Sequence, residues 1–186
     1  MDVDEILMKT EEAMEKSLDY TKKQLEKVRT GRASASLVDS VKVDYYGSLS
    51  PISQIASISV PDAKMIVIQP WDKSTLSIIE KAIQSADLGF NPQNDGNVIR
   101  IPVPPLTEER RREFVKVSKK IAEDGKIAVR NIRRDNMEAL KKGEKDKDFS
   151  EDDRKYGEEE VQTLTDNFIR KIDELQLKKE KELMED

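Results

Sequence analysis

The sequence predicts an α+β protein in which an elongated three-helix bundle carries a small inserted β/α/β domain. Charge is unevenly distributed: 13 of the 76 residues from Thr30 to Pro105 are charged, against 58 of the other 110. The charged flanks place apolar residues at helical spacing, whereas the middle contains short β-branched runs. We therefore predict a bundle from residues 1–29 and 106–186 and an inserted domain at residues 30–105.

Three amphipathic stripes predict the three bundle helices. In the first, apolar residues recur at steps of seven, four, seven and three, at Leu7, Met14, Leu18, Leu25 and Val28. The second follows Pro104-Pro105, with Thr107 as its expected N-cap, and its stripe contains Phe114, Val117, Ile121, Ala128 and Ile132. The third begins at Ser150, whose S-x-x-D spacing to Asp153 resembles a capping box, and continues through Val161, Leu164, Phe168, Ile172 and Leu175. At about 35 residues each, such helices would be rods of roughly 50 Å.

The middle of the chain alternates between strand and helix patterns. Strands are expected within VKVDYYG, IASISV, KMIVIQP and NDGNVIRIPV. Between the last two, STLSIIEKAIQSADLG has helical spacing and predicts Gly89 as the C-cap. Tyr45 and Tyr46 are expected on opposite faces of a strand, one buried and one exposed. Trp71, the only tryptophan, is expected in the core or at the domain edge.

The inserted domain requires the chain to leave the bundle and return. The first crossing lies in KVRTGRAS, where Gly31 taken alone would be read as a helix C-cap. Because a second, proline-rich crossing accompanies it, a pair of hinges is the better interpretation. We predict hinges near residues 30–32 and 103–105, formed by Thr30, Gly31, Pro104 and Pro105.

Composition excludes several classes of chemistry. The chain has no cysteine and no histidine, which removes thiolate metal sites and Ser-His, Cys-His and His-metal catalysis. No glycine-rich phosphate loop is present, so GTP hydrolysis is not expected of this chain. The acidic N-terminus lacks the pattern of a signal peptide and no stretch is apolar enough to span a bilayer. We expect a cytoplasmic protein without cofactor or metal.

Charge is also polarised between the last two helices. Residues 108–145 carry 13 basic and 8 acidic side chains, whereas residues 150–186 carry 7 and 13. Lys126, Arg130 and Arg134 are four residues apart, with Arg133 and Lys141 on the same side of the predicted helix. This face could pair with the acidic third helix or contact an RNA backbone. The grouping of three guanidinium groups, which suit phosphate geometry, favours RNA.

Several segments resemble the ribosome recycling factor family over essentially the whole chain. They are KVRTGRAS, VDYYG, KAIQSADLGFNP, IRIPVPPLTEERRREF, AVRNIRRD and LTDNFIRKIDELQLKKEKEL. The resemblance implies a non-enzymatic, L-shaped, tRNA-like protein with two hinges. Ala35 departs from the family, which often has proline there. Gly125 lies within a predicted helix, where it should cost about 1 kcal/mol relative to alanine and allow bending or fraying.

The resemblance implies a function on the ribosome. The protein would enter the post-termination ribosome at the aminoacyl and peptidyl sites of the large subunit, and elongation factor G with GTP would then drive the subunits apart. The residues expected to contact large-subunit ribosomal RNA are Arg29, Arg32, Arg110, Lys126, Arg130, Arg133 and Arg134. We expect a monomer with no membrane or DNA partner.

Two other classes of function remain open. A helical adaptor or chaperone cofactor would bind only protein and show no salt-dependent binding to RNA or ribosomes. A carboxylate-based hydrolase would require two acidic residues with separated pKa values, and the sequence nominates no such pair.

Overall fold

The computed structural model describes residues 1–185 and separates the chain into two compact units. The bundle unit contains Met1–Arg29 and the chain from Glu108 onward, and the smaller unit is Thr30–Thr107. The second boundary lies two residues later than the one expected from sequence. The α+β prediction, a helical bundle with a small β-containing unit, is confirmed.

Three long helices form the bundle unit: α1 (Val3–Glu26), α4 (Glu108–Lys145) and α5 (Glu151–Met184). The expected length of about 35 residues holds for α4 and α5, but α1 has only 24 residues. The predicted capping box of α5 is confirmed, since Ser150 Oγ accepts the Asp153 N–H at 3.1 Å and Asp153 Oδ2 accepts the Ser150 N–H at 3.3 Å. Asp2 and Glu5 form a second box at the start of α1, which the sequence analysis missed.

The buried face of α4 differs from its predicted apolar stripe. The predicted residue Val117 is exposed, while the other four members of that stripe are only half-buried. The fully buried positions carry mostly small side chains: Ser118, Ala122, Gly125, Val129, Leu140 and Gly143. Small residues occupy this line because the neighbouring helices approach α4 closely, so the larger apolar residues flank it. The α5 stripe is confirmed, with Val161, Phe168 and Ile172 buried.

Gly125 shows why a glycine is placed inside α4. The helix is continuous from Glu108 to Lys145, so the expected fraying at Gly125 is not seen. A Cβ atom at this position would overlap Thr21 Oγ1 of α1 and lie 3.0 Å from Thr21 Cγ2. The absence of a side chain therefore permits close packing of α1 on α4.

Two antiparallel sheets and one main helix form the smaller unit. Its elements are β1 (Lys42–Tyr45), β2 (Ser48–Pro51), α2 (Ile52–Ile55), β3 (Ala56–Asp62), β4 (Met65–Pro70), α3 (Leu76–Ser85), β5 (Gln93–Asn94) and β6 (Ile99–Pro102). One sheet pairs β1 with β2, and the other has the order β3-β4-β6-β5. β2, α2 and β5 were not predicted. A core rich in isoleucine lies between these elements, with Ile66, Ile68, Ile79 and Ile99 fully buried.

Three local predictions in the smaller unit need correction. α3 ends at Ser85 with Ala86 as its C-cap, so Gly89 lies three residues beyond the cap. Trp71 is 70% exposed and therefore not a core residue. Tyr45 is half-buried and Tyr46 exposed, but Tyr46 lies in the turn after β1, with φ of 50°, and not on the strand. Sequence periodicity gives no information on where a strand stops and a turn begins within such a short hairpin.

The two connecting segments are hydrogen-bonded to the turn between β3 and β4. The Ala33 N–H donates to the Ala63 carbonyl and the Val103 N–H donates to the Lys64 carbonyl, both at 2.8 Å. Gly31 is not a helix C-cap, because α1 ends at Glu26 with Lys27 as its cap. Its φ of +78° favours glycine, and a Cβ would lie 3.1 Å from Leu106 Cγ. Gly31 thus lets the first segment turn beside the second.

Candidate nucleic-acid interface

Helix α4 carries the predicted arginine group on a stiff, regular support. Arg130 and Arg134 are one turn apart, and both are exposed, Arg130 to 50% and Arg134 to 65% of the side chain. The Arg130 Nη1 group donates to Glu123 Oε1 at 3.2 Å. Arg134 has only a long contact of 3.9 Å between its Nε and Asp135 Oδ1. Because a guanidinium has five N–H donors, both side chains retain donors for a further anion.

Arg133 is held at the flank of this face by a residue that sequence reasoning missed. Its Nε donates to Gln162 Oε1 of α5 at 2.7 Å. Gln162 is itself oriented, since its Nε2 donates to Asp166 Oδ1 at 2.9 Å. This chain fixes the direction of the Arg133 guanidinium while using one of its five donors. No sequence motif marks Gln162, because the pairing joins residues 29 positions apart.

Lys126 is engaged within the bundle. Its Nζ lies 2.8 Å from Asp173 Oδ1 on α5 and 3.6 Å from Glu123 Oε2, and its side chain is only 21% exposed. The hydrogen bond to Asp173 raises the pKa of Lys126, against the opposing effect of burial. For Lys126, the geometry therefore favours pairing with the acidic third helix over contact with an RNA backbone.

Further lysines extend the exposed arginine face. At 100° per residue, five of the eight basic residues from Lys116 to Lys141 fall within an arc of about 80°, which also contains Glu123 and Glu138. This surface, called the basic stripe below, consists of Lys116, Lys120, Arg130, Arg134 and Lys141. The three lysines are exposed and form no ion pair with any of residues 1–185. Lys116 and Lys120 were not predicted, although their spacing of four was a readable signal.

The remaining predicted contact residues lie outside the basic stripe. Arg110, near the start of α4, is exposed and places Nη1 3.5 Å from Glu113 Oε2. Arg29 is half-buried in the bundle unit, just beyond α1, whereas Arg32 is exposed in the smaller unit. The structure therefore brings Arg130, Arg133 and Arg134 together on one helix and assigns Arg29 and Arg32 to different units.

Neither a metal site nor a membrane-spanning helix is found among residues 1–185. Within residues 1–185, no group of three acidic side chains is arranged to hold a metal ion. Asp153 is used in the capping box, and Glu158 accepts from Arg154 Nη1 at 2.9 Å. None of the described helices is long and apolar enough to cross a membrane.

The fold and the charged face together define a class: a two-unit α+β protein whose helical bundle exposes arginines suited to phosphate. Comparisons with known proteins identify the family. The ribosome recycling factor model matches residues 21–184. The Oleidesulfovibrio alaskensis ribosome-recycling factor is 58% identical over 183 residues, covering 98% of this chain and 100% of that protein. The Bacillus licheniformis factor is 54% identical over 181 residues, covering 97% and 98%.

Solved structures agree with the sequence comparisons. A solution structure of a ribosome recycling factor matches with a TM-score of 0.76 and 45% identity, covering 99% of this chain and 98% of that one. Another match, with a TM-score of 0.65, 45% identity and full coverage of both chains, represents the T. thermophilus ribosome recycling factor and the E. coli elongation factor G bound to the E. coli post-termination complex. The chain belongs to the ribosome recycling factor family. The prediction of a recycling factor, not an enzyme, is thereby confirmed.

Proposed function

We propose that this protein binds the post-termination ribosome at the aminoacyl and peptidyl region of the large subunit. With elongation factor G and GTP it splits the ribosome into subunits, so that mRNA and tRNA are released for another round of translation. Membership of the family supports this assignment, as does the related T. thermophilus factor described with elongation factor G on a post-termination complex. A cytoplasmic monomer would serve this role.

The observation that carries the proposal is the basic stripe, flanked by Arg133. The stripe runs along a 38-residue helix whose opposite face is fixed by packing against α1 and α5. Ribosomal RNA presents phosphates along its backbone, and arginine binds phosphate through paired N–H donors. A rigid helix with exposed guanidinium and ammonium groups can contact several phosphates at once. Local charge decides such contacts, so the overall net charge of −5 does not oppose them.

The connecting segments support a revised position for the hinges. Ala33 and Val103 are hydrogen-bonded to the smaller unit, and Gly31 lies against Leu106. Much of the predicted hinge regions therefore belongs to that unit. The remaining links are residues 27–30, after the last residue of α1, and Thr107, before α4. We propose that the two units rotate about these links, with Thr30 as the one predicted hinge residue that lies within them.

The proposal is tested by co-sedimentation with large ribosomal subunits over a series of salt concentrations. If about five phosphates are neutralised, log K should fall against log salt with a slope of several units. The Arg130→Ala, Arg134→Ala double variant should reduce that slope by about 1.5 to 2 units. A matched control is the Lys155→Ala, Arg170→Ala variant on α5, which removes the same charge from two exposed residues and should leave binding unchanged.

Two results would contradict the proposal in different ways. Absence of binding by the unaltered protein at low salt would exclude ribosomal action and favour the protein-only adaptor. Equal losses in the two double variants would show that total charge, not the basic stripe, controls binding. A binding-competent protein should then split post-termination ribosomes only when elongation factor G and GTP are both supplied.

A further inference from the structure

The smaller unit exposes two large aromatic side chains close to one another. Trp71 is 70% exposed and Tyr46 is 78% exposed. They are linked through Asp72, which follows Trp71 in the chain and whose Oδ2 accepts the Tyr46 hydroxyl at 3.0 Å. Exposed aromatic residues grouped in this way are typical of interaction surfaces, because leaving them in water forgoes the free energy of their burial.

The side chain of Tyr46 is held in place by its backbone conformation and by two neighbouring residues. Tyr46 adopts a φ of 50° in the turn that joins β1 to β2, a conformation that non-glycine residues rarely adopt. Its ring makes an edge contact with Tyr45, the centroids being 4.5 Å apart, and its hydroxyl is held by Asp72. The main-chain N–H of Trp71 donates to the Ile55 carbonyl at 3.3 Å, which fixes the backbone at the neighbouring ring. The surface is therefore preorganised for binding.

Two carboxylates at this surface have no cationic partner among residues 1–185. Asp44 accepts the Gly47 N–H at 3.1 Å, and Asp72 accepts the main-chain and hydroxyl hydrogens of Ser74. Neither forms an ion pair with any lysine or arginine of residues 1–185. Lys73, which follows Asp72 in sequence, donates to Asn97 Oδ1 at 2.9 Å. Hydrogen bonds from Ser74, then from Tyr46, lower the pKa of Asp72.

This combination selects a cationic ligand. A guanidinium group can stack on an aromatic face and at the same time donate to a carboxylate. RNA is disfavoured, because exposed phosphates would meet Asp44 and Asp72, and the unit carries six basic against seven acidic residues. Tryptophan, tyrosine and arginine are also the residues most often found at the energetic centres of protein interfaces.

We infer that Trp71, Tyr46, Asp44 and Asp72 form a docking surface for a protein segment that presents an arginine. The inference rests on the proposed function, since the ribosome is the expected source of that segment. This surface would contact ribosomal protein, whereas the basic stripe would contact ribosomal RNA. The two units would thus bind chemically different parts of one particle.

The test replaces Trp71 with the photoreactive residue p-benzoylphenylalanine, which retains an aromatic ring at the surface. The variant is irradiated with purified intact ribosomes, and the attached material is identified by mass spectrometry. We expect attachment to an arginine-containing segment of a ribosomal protein. Attachment only to ribosomal RNA, or none from a protein that still co-sediments with ribosomes, would overturn the inference. The same substitution at Val60, an exposed residue of β3, provides the comparison and should not yield that product.

The charge requirement is tested by Asp44→Asn and Asp72→Asn, each made in the photoreactive protein. Asp44→Asn removes the charge and keeps the oxygen that accepts the Gly47 N–H. Asp72→Asn removes the charge and keeps the oxygen that accepts from Ser74, but it replaces the acceptor of the Tyr46 hydroxyl with an amide NH2, from which that hydroxyl can accept instead. Each should lower the yield of the product by about two- to fivefold; unchanged yields in both would exclude an arginine ligand. Loss of co-sedimentation by the unaltered protein would instead show that the proposed function itself fails, and this inference with it.

Discussion

The two units bury their apolar residues in different ways. The smaller unit closes one continuous core dominated by isoleucine and valine, and few charges surround it. The bundle has two separate apolar clusters, with buried polar side chains at Thr10, Thr21, Ser118 and Thr165. Each of these hydroxyls donates to a carbonyl of its own helix, at 2.7 to 2.9 Å. A bundle can therefore be narrow and highly charged, provided that its buried hydroxyl groups have hydrogen-bond acceptors within their own helices.

The largest expected effect comes from the continuous core. Ile68→Ala should destabilise the smaller unit by about 2–5 kcal/mol, because Ile68 is fully buried and the surrounding isoleucines cannot fill the cavity. Amide hydrogen exchange of β4 and β6 follows unfolding of this unit, while circular dichroism follows the bundle helices. Thr165→Ala, at a similarly buried bundle position, should cost only about 1 kcal/mol. Equal losses in the free energy of unfolding from Ile68→Ala and Thr165→Ala would contradict the distinction between the two cores.

Gly125→Ala sharpens the account of close helix packing in the bundle. Alanine favours a helix by about 1 kcal/mol over glycine, yet the new methyl group would overlap Thr21. We expect a net loss of about 1–3 kcal/mol in the free energy of unfolding. Adding Thr21→Ala should recover part of it, as measured by a double-mutant cycle in urea. An increase in stability from Gly125→Ala alone would refute the packing explanation.

Lys179→Met tests a charge buried at the end of the bundle. Lys179 is about nine-tenths buried, and its Nζ lies 4.0 Å from Glu182 Oε2. Burial lowers the pKa of Lys179, although Glu182 and Glu26 oppose this effect. The charged amine therefore costs stability at neutral pH, and methionine should raise the free energy of unfolding by about 1 kcal/mol.

The pH dependence of that gain has a definite sign. Below the folded-state pKa of Lys179, the amine is charged in both states and the penalty is fully present. As pH rises toward the unfolded value of about 10.4, the folded protein releases its proton first, and the penalty declines. The advantage of Lys179→Met in thermal melts should shrink over this range. An advantage that grows with pH would contradict the assigned cause.

The smallest expected effect concerns the ion pair between α4 and α5. Asp173→Asn removes the closest partner of Lys126 and should cost about 0.5 kcal/mol, since Asp173 is half-exposed and solvent screens the pair. Glu174→Gln, which breaks an exposed contact of 3.8 Å with Arg170, is the control and should have no measurable effect. A loss of ribosome binding by Asp173→Asn at unchanged stability would instead show that Lys126 belongs with the RNA contacts.

The candidate interface was only partly predictable. Arg130 and Arg134 could be assigned to an exposed face because helical spacing places them opposite the apolar stripe. The same spacing grouped Lys126 with them, since sequence does not show that Asp173 of α5 lies 2.8 Å away. For Arg133, the orienting partner Gln162 is likewise on another helix. Periodicity identifies a face of a helix, but it does not identify what packs against that face.

The sequence by itself determined the α+β class, the α5 stripe and the Ser150–Asp153 cap, because these depend on residue spacing and local hydrogen bonding. Only the tertiary structure decided that small residues line the buried face of α4 and that Gly125 is a contact point with Thr21. It also decided that Trp71 is exposed beside Tyr46 and Asp72. These features depend on distances between segments remote in sequence, which are set by packing of the whole unit.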